Sequence, residues 1–160
     1  MTVKNNVTRI LDQRKVQYKV FELPVEKLSA VETAELLDVP LEIVFKTIVV
    51  RREGRGKPIL AVVPGIGDVD LKALAKAVGE KKVILTTKKD AESLTKLRAG
   101  GISPLALLNR GFQVVIDNSA LEHQQIHISG GQRGMNIRLY SSDLIKLTDA
   151  KSAAICQQMT

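Results

Sequence analysis

Val44-Phe45-Lys46-Thr47-Ile48-Val49-Val50-Arg51 is followed, after a Gly54-Arg55-Gly56 turn, by Pro58-Ile59-Leu60-Ala61-Val62-Val63. The first run is rich in β-branched residues and the second is apolar throughout. Together they predict a β-hairpin whose loop is longer than the tightest type. Side chains on a strand alternate faces. Val44, Lys46, Ile48 and Val50 therefore share one face, and Phe45, Thr47 and Val49 share the other. Lys46 is the only charge between Val44 and Val50. A buried ammonium is costly unless it is paired or faces a polar pocket. The simpler reading of the pattern alone is an edge-strand lysine whose stem packs and whose head reaches water.

Upstream, Val7, Ile10, Leu11 and Arg14 follow helical spacing behind Asn5 and Asn6, which are good caps. Val16, Tyr18 and Val20 alternate like a half-buried strand. Ser29-Ala30-Val31-Glu32 is a capping-box pattern for a helix that Val39-Pro40 interrupts. Downstream, Leu71, Leu74, Ala75 and Val78 make a helix behind Asp70 that Gly79 stops. Val83 to Leu85 is a short strand, and Thr87 caps a helix expected to run through Leu97. Strands are expected around Leu105 to Leu108, Phe112 to Ile116, Gln125 to Ser129 and Met135 to Tyr140, with a helical tail after Ser142. Hairpin-like strands interspersed with helices, with no repeat and no linker, point to one α+β domain over residues 1–160 with a mixed, largely antiparallel sheet.

Composition narrows the function classes. The 160 residues are 44% apolar and 26% charged, which suits an ordered domain with a real core rather than a disordered chain. No apolar run is long enough to span a membrane, and Met1-Thr2-Val3-Lys4 lacks the apolar core of a signal peptide. Cys156 is the only cysteine, so no internal disulfide forms, and a cytoplasmic location is expected. Formal net charge is +7, and the excess is uneven. Eight basic residues lie between Lys72 and Arg98, opposed only by Glu80, Asp90 and Glu92. Such a field attracts polyanions, nucleic acid foremost, although a solvated lysine-rich face has the same composition. With no Trp and five Phe and Tyr, a broad base-stacking platform is disfavoured, and a partner held by its backbone fits better.

Two glycine loops remain. Gly100-Gly101-Ile102-Ser103-Pro104 and Gly130-Gly131-Gln132-Arg133-Gly134 permit backbone conformations that other residues resist. Their N–H groups can converge on an anion or oxyanion, or the loops can be tight connections and nothing more. Neither fits a Walker or dinucleotide fingerprint. No nucleophile motif is present, and Cys156 lies near an end that can fray. His123 and His127 belong to a turn entering a strand rather than to one helix face. No cysteine pair or zinc-binding helix motif points to a metal, and no cofactor is expected.

Phe45-Lys46-Thr47, the Gly100–Pro104 loop and Ser129-Gly130-Gly131-Gln132-Arg133-Gly134 occur in the order found in the YbaK/prolyl-tRNA-synthetase-associated domain family, which the chain resembles from about Asn5 onward. Asp70-Leu71-Lys72, Lys81-Lys82-Val83 and Asp149-Ala150-Lys151 resemble its bacterial YbaK branch. The resemblance implies a barrel-like mixed sheet with surrounding helices. It implies a free-standing deacylase that removes wrong amino acids from tRNA, Cys-tRNA(Pro) above all, with prolyl-tRNA synthetase as a further partner. Lys46 would be the key charge, and Gly101, with Gly100, would line the pocket and donate to an oxyanion. Phe21, Phe45, Thr47, Ile102, Ser103, Pro104, Gly130, Gly131, Arg133 and Asn136 would face substrate. In the cysteine-specific branch the substrate thiol attacks its own ester, which would account for the missing protein nucleophile. Asn136 stands where a carboxylate is common, Phe45 where a tyrosine often is, and Phe21-Glu22-Leu23-Pro24 lacks the tyrosine and histidine of some relatives. Two other functions share these features: a non-catalytic tRNA or synthetase binding module, and a deacylase for alanine or serine.

Overall fold

The computed structural model describes residues 4–157. Met1, Thr2 and Val3, on which the signal-peptide expectation rests, lie outside the described residues, as do Gln158, Met159 and Thr160. Helix α1 (Asn6–Gln13) opens on Asn5, whose side chain accepts from the Thr8 N–H while Thr8 Oγ1 accepts from the Asn5 N–H. Caps of this kind stabilise a helix by about 1 kcal/mol. Strand β1 is Tyr18–Glu22, and helix α2 is Ala30–Leu37, boxed by Ser29 and Glu32 as its sequence predicts.

The central hairpin forms from β2 (Phe45–Arg52) and β3 (Ile59–Pro64), paired antiparallel from Phe45↔Pro64 to Val50↔Ile59. There follow β4 (Asp68–Val69), α3 (Leu71–Val78, capped by Asp70), β5 (Val83–Leu85) and α4 (Lys88–Thr95, capped by Thr87). The rest is β6 (Gln113–Asp117), β7 (Gln125–Ser129), β8 (Met135–Tyr140), α5 (Ser141–Thr148), β9 (Lys151–Ala153) and β10 (Cys156–Gln157). The strands form sheets ordered β5-β2-β3-β6-β9, β1-β8-β7 and β10-β4. Among the described strand pairs β3–β6 and β6–β9 are parallel, as is the isolated Val44–His127 bridge, and the others are antiparallel, so the architecture is mixed α+β with largely antiparallel pairing. Among the described residues no closed barrel is present.

The alternation expected along β2 is realised as two cores. Phe45 and Val49 pack with Leu60, Val62 and Ile116, while Val50 packs with Ile59, Ala61, Val63 and Leu74 on the opposite face. Both faces are covered, so the hairpin reads as nearly continuous apolar sequence instead of an apolar–polar alternation. Truncating a fully buried Leu60 or Ile59 to Ala at such a site costs about 2–5 kcal/mol.

Four expectations need correction. Leu105 to Leu108 is not a strand but a series of turns. Ser103 Oγ accepts from the Leu105 N–H, and the Leu107 N–H donates to the Pro104 carbonyl. Leu105 and Leu107 still reach the core, and a short buried apolar run carries no period that separates turn from strand. The tail is helical only to Thr148, because Asp149 adopts a left-handed conformation. Lys151–Ala153 then adds to β6, and Cys156–Gln157 pairs with β4. Cys156 is therefore not at a fraying end. Asp117 Oδ1 accepts from the Ile155 and Cys156 N–H groups and pins the segment down. Helix α4 also stops at Thr95, two residues before Leu97.

Candidate functional site

A cleft of about 540 Å³ opens where β2 outruns its neighbour. On one edge β2 is paired with β3 along most of its length, and the Val44 carbonyl accepts from Gly65 on that side. On the other edge β5 covers only Val50 to Arg52, and Val44 bridges to His127 of β7. Between those contacts the strand edge has no strand neighbour among the described residues, and residues from both faces of β2 line the cleft. Phe45, Lys46 and Thr47 form this wall; Gly100, Ile102 and Asn136 also line the cleft. The loop from Leu85 to Lys88 closes it near β5, with Thr86 Oγ1 donating to the Val49 carbonyl at 2.8 Å.

Lys46 is half-buried and makes no ion pair among the described residues. It lies at the uncovered part of the strand edge, which satisfies the edge-strand reading and gives its ammonium a cleft to face. Lys27 and Lys88 also line the cleft, with Glu26 the single carboxylate. The site is therefore electropositive, suited to an anionic or ester-bearing ligand.

The first glycine loop divides into cleft and support. Gly100 (φ +90°) and Ile102 line the cleft. Gly101 does not: its N–H is spent on the Arg98 carbonyl at 2.8 Å, and a Cβ there would sit 2.8 Å from Gln132 Cα. Gly101 thus lets the two glycine loops touch, and its amide is not free to serve an oxyanion. Ser103 and Pro104 are buried beneath the loop, outside the cleft.

The second loop lies mostly behind the cleft. Asn5 Nδ2 donates to the Gly130 carbonyl, and Gly131 abuts Val7, so both glycines face α1. Arg133 reaches the other loop, its Nε donating to the Ala99 carbonyl at 2.6 Å. The residues of this loop that line the cleft are its ends, Ser129 and Gly134. Phe21 is also outside the lining. Its ring packs on His127 with centroids 5.4 Å apart, flanked by Lys19 and Arg138.

His127 is placed beside a strand by sequence reasoning, which gives it no role at the site. It is fully buried, with Nδ1 2.8 Å from Asn136 Oδ1, and its Nε2 has no hydrogen-bond partner among the described residues. Burial pushes its pKa down; the Asn136 bond opposes this and Arg138 adds to it, so the ring stays neutral. With Oδ1 held by Nδ1–H, the Asn136 Nδ2 amine is left for the cleft. The only sequence signal was one polar residue between the apolar Ile126 and Ile128.

All eight basic residues from Lys72 to Arg98 are exposed, and none is in an ion pair among the described residues. Burial pushes the Cys156 thiol up, the Asp117 carboxylate adds to the shift and the Lys46 ammonium opposes it without reversing it, and the sulfur packs against Gly67 outside the cleft. Both observations argue against a reactive thiolate. Among the described residues no helix is long and apolar enough to cross a membrane.

Comparison with known proteins places these features in context. A family model described as an aminoacyl-tRNA editing domain matches residues 25–147. The chain is 38% identical over 154 residues, 95% of its length and 93% of the relative's, to the Enterococcus faecalis protein named "Putative Cys-tRNA(Pro)/Cys-tRNA(Cys) deacylase EbsC". It is 23% identical over 154 residues, 94% of its length and 93% of the relative's, to "Prolyl-tRNA editing protein ProX" of Acetoanaerobium sticklandii. A crystal structure described as "a putative trans-editing enzyme for prolyl tRNA synthetase" shares the fold, with TM-score 0.80, 23% identity and coverage of 98% of this chain and 99% of that one.

Proposed function

The chain belongs to the aminoacyl-tRNA editing domain family, and on that footing we propose that it is a trans-editing deacylase that hydrolyses mischarged aminoacyl-tRNA, Cys-tRNA(Pro) in particular. The observation that carries this reading is a cleft with a lysine unpaired among the described residues and a glycine loop, with no activated protein nucleophile among the described residues. Lys46 supplies fixed positive charge to a phosphate or ribose oxygen of the acceptor end, or to the ester carbonyl. The Gly100 and Ile102 amides, which make no hydrogen bond among the described residues, are the backbone donors available to a developing oxyanion.

On this reading, which follows the resemblance to the cysteine-specific branch, the substrate supplies the nucleophile. The cysteinyl sulfur bonds to its own ester carbon and the bond from that carbon to the ribose oxygen breaks. The thiol proton ends on the released ribose hydroxyl, and water then opens the cyclic thioester to free cysteine. Protein side chains contribute orientation and electrostatics. The same reading has residues 1–160 act as one cytoplasmic domain with barrel-like closure of its sheets about the Val44–His127 bridge, and with prolyl-tRNA synthetase as a further partner. A panel of labelled cysteinyl-, seryl-, alanyl- and prolyl-tRNA(Pro) tests it: selective release of cysteine is expected. Release from the seryl or alanyl esters alone would reassign the acyl group, and no release from any would leave a binding module.

The exposed basic stretch is the surface on which tRNA phosphates would lie. Binding is then expected to weaken steeply with salt, log affinity against log salt falling by roughly 0.7–0.9 per phosphate neutralised. A doubly reversed Lys81→Glu, Lys82→Glu protein should bind tRNA more weakly with a shallower slope, while its turnover of a minimal cysteinyl ester stays within about twofold, since neither residue lines the cleft. Equal losses on both substrates would mark these lysines as a merely solvated face.

A further inference from the structure

Resting on that reading, we propose that Arg133, which holds the Ala99–Gly100 peptide by its carbonyl, and Glu92, which holds the preceding Arg98–Ala99 peptide by its N–H, are positioning residues that together aim the Gly100 N–H into the cleft. Each backbone group around it is held. The Ala99 N–H donates to Glu92 Oε2 at 2.7 Å, and the Ala99 carbonyl accepts from Arg133 Nε at 2.6 Å. The Gly100 carbonyl accepts from Ser129 Oγ at 3.4 Å, and the Gly101 N–H donates to Arg98. The Gly100 N–H alone in this run has no partner among the described residues.

The Ala99 carbonyl and the Gly100 N–H belong to one rigid trans peptide, so they point in opposite directions. The guanidinium grips the carbonyl and so fixes the opposite direction of the N–H; Ala99 and Gly100 both line the cleft, whereas Arg133 does not. The clamp matters because Gly100, at φ +90°, sits where glycine makes a peptide flip sterically cheap. A flipped peptide would present a carbonyl to the developing oxyanion in place of a donor. The charge-assisted hydrogen bonds from Arg133 and to Glu92, on adjacent peptides, are each about twice as strong as neutral ones, and a cation on the carbonyl also polarises the N–H toward donation. The Ala99 N–H, with Lys88, Arg133 and Arg98 adding, holds the Glu92 carboxyl below its usual range, so it remains an acceptor at neutral pH.

The test uses the full chain with Cys-tRNA(Pro) and glycine-labelled NMR of the free protein. For Arg133→Met, kcat is expected to fall roughly 10- to 100-fold with KM within about twofold, the signature of a misaimed donor. The Gly100 amide resonance should move, and Arg133→Lys should regain part of kcat. Glu92→Gln, which keeps an acceptor without its charge, should lose part of kcat, and Glu92→Ala should lose more; this graded pair serves if Arg133→Met does not fold. A folded Arg133→Met protein with unchanged kcat, or with its whole loss in KM, would overturn the clamp. If the wild-type protein turns over no aminoacyl-tRNA, the functional reading fails instead. The Gly100 resonance still judges the clamp in that case, since an unmoved resonance in Arg133→Met contradicts it.

Discussion

A folded Lys46→Ala protein is expected to hydrolyse Cys-tRNA(Pro) roughly a hundredfold or more slowly than wild type, the usual consequence of removing one oriented electrostatic contact to a transition state. The side chain lies on β2 where the strand edge is uncovered, it lines the cleft, and no carboxylate among the described residues neutralises it. Its loss should therefore remove charge from the reacting end without opening a core cavity, because Ile48 and Val50 on the same face make the packing contacts. Thermal unfolding and tRNA affinity should change little, since on this reading the tRNA phosphates lie mostly on the Lys72–Arg98 surface. Lys46→Arg should not fully restore the rate: guanidinium is planar and less strongly hydrated, and it directs its donors differently from a compact ammonium. Near-wild-type turnover by a folded Lys46→Ala protein would remove Lys46 from the mechanism.

The second large effect concerns the substrate. Cys-tRNA(Pro) should be cleaved far faster than Ser-tRNA(Pro), although the two side chains differ only by sulfur for oxygen. A thiol ionises much more readily than a hydroxyl and is the better nucleophile near neutral pH. Alkylating the substrate thiol should stop the reaction while the tRNA still binds. Cys156→Ala should keep nearly full activity, because that sulfur lies outside the cleft with its pKa raised. Activated water would attack either ester, so comparable rates for cysteinyl and seryl substrates, or efficient cleavage of the alkylated one, would contradict substrate assistance. The amide of Asn136, held by His127 at the cleft wall, makes this comparison informative for this chain.

Local rules carried much of the fold. Asn5, Ser29, Asp70 and Thr87 announced their helices because caps are short-range hydrogen-bond chemistry, and the β2–β3 hairpin was visible in its apolar runs and glycine turn. Leu105 to Leu108 was misread because burial alone does not distinguish turn from strand. The final strands were missed because Lys151–Ala153 and Cys156–Gln157 are fixed by long-range pairing with β6 and β4 and by Asp117, none of which leaves a local pattern. At the site, Lys46 stood out as one charge in an apolar strand. The division of labour within the glycine loops did not, since whether Gly100 or Gly101 keeps a free N–H depends on Arg98, Arg133 and Gln132. His127 was hidden for the same reason: its burial comes from how the strand edges meet.

The most direct measurement is the fate of labelled cysteine on Cys-tRNA(Pro) when the protein is present at far below substrate concentration. Repeated turnover is expected, with free cysteine and intact, rechargeable tRNA as products, and with Pro-tRNA(Pro) left acylated. An ester lifetime equal to that in buffer, under conditions where the tRNA is bound, would contradict deacylation and leave the protein a tRNA-binding module.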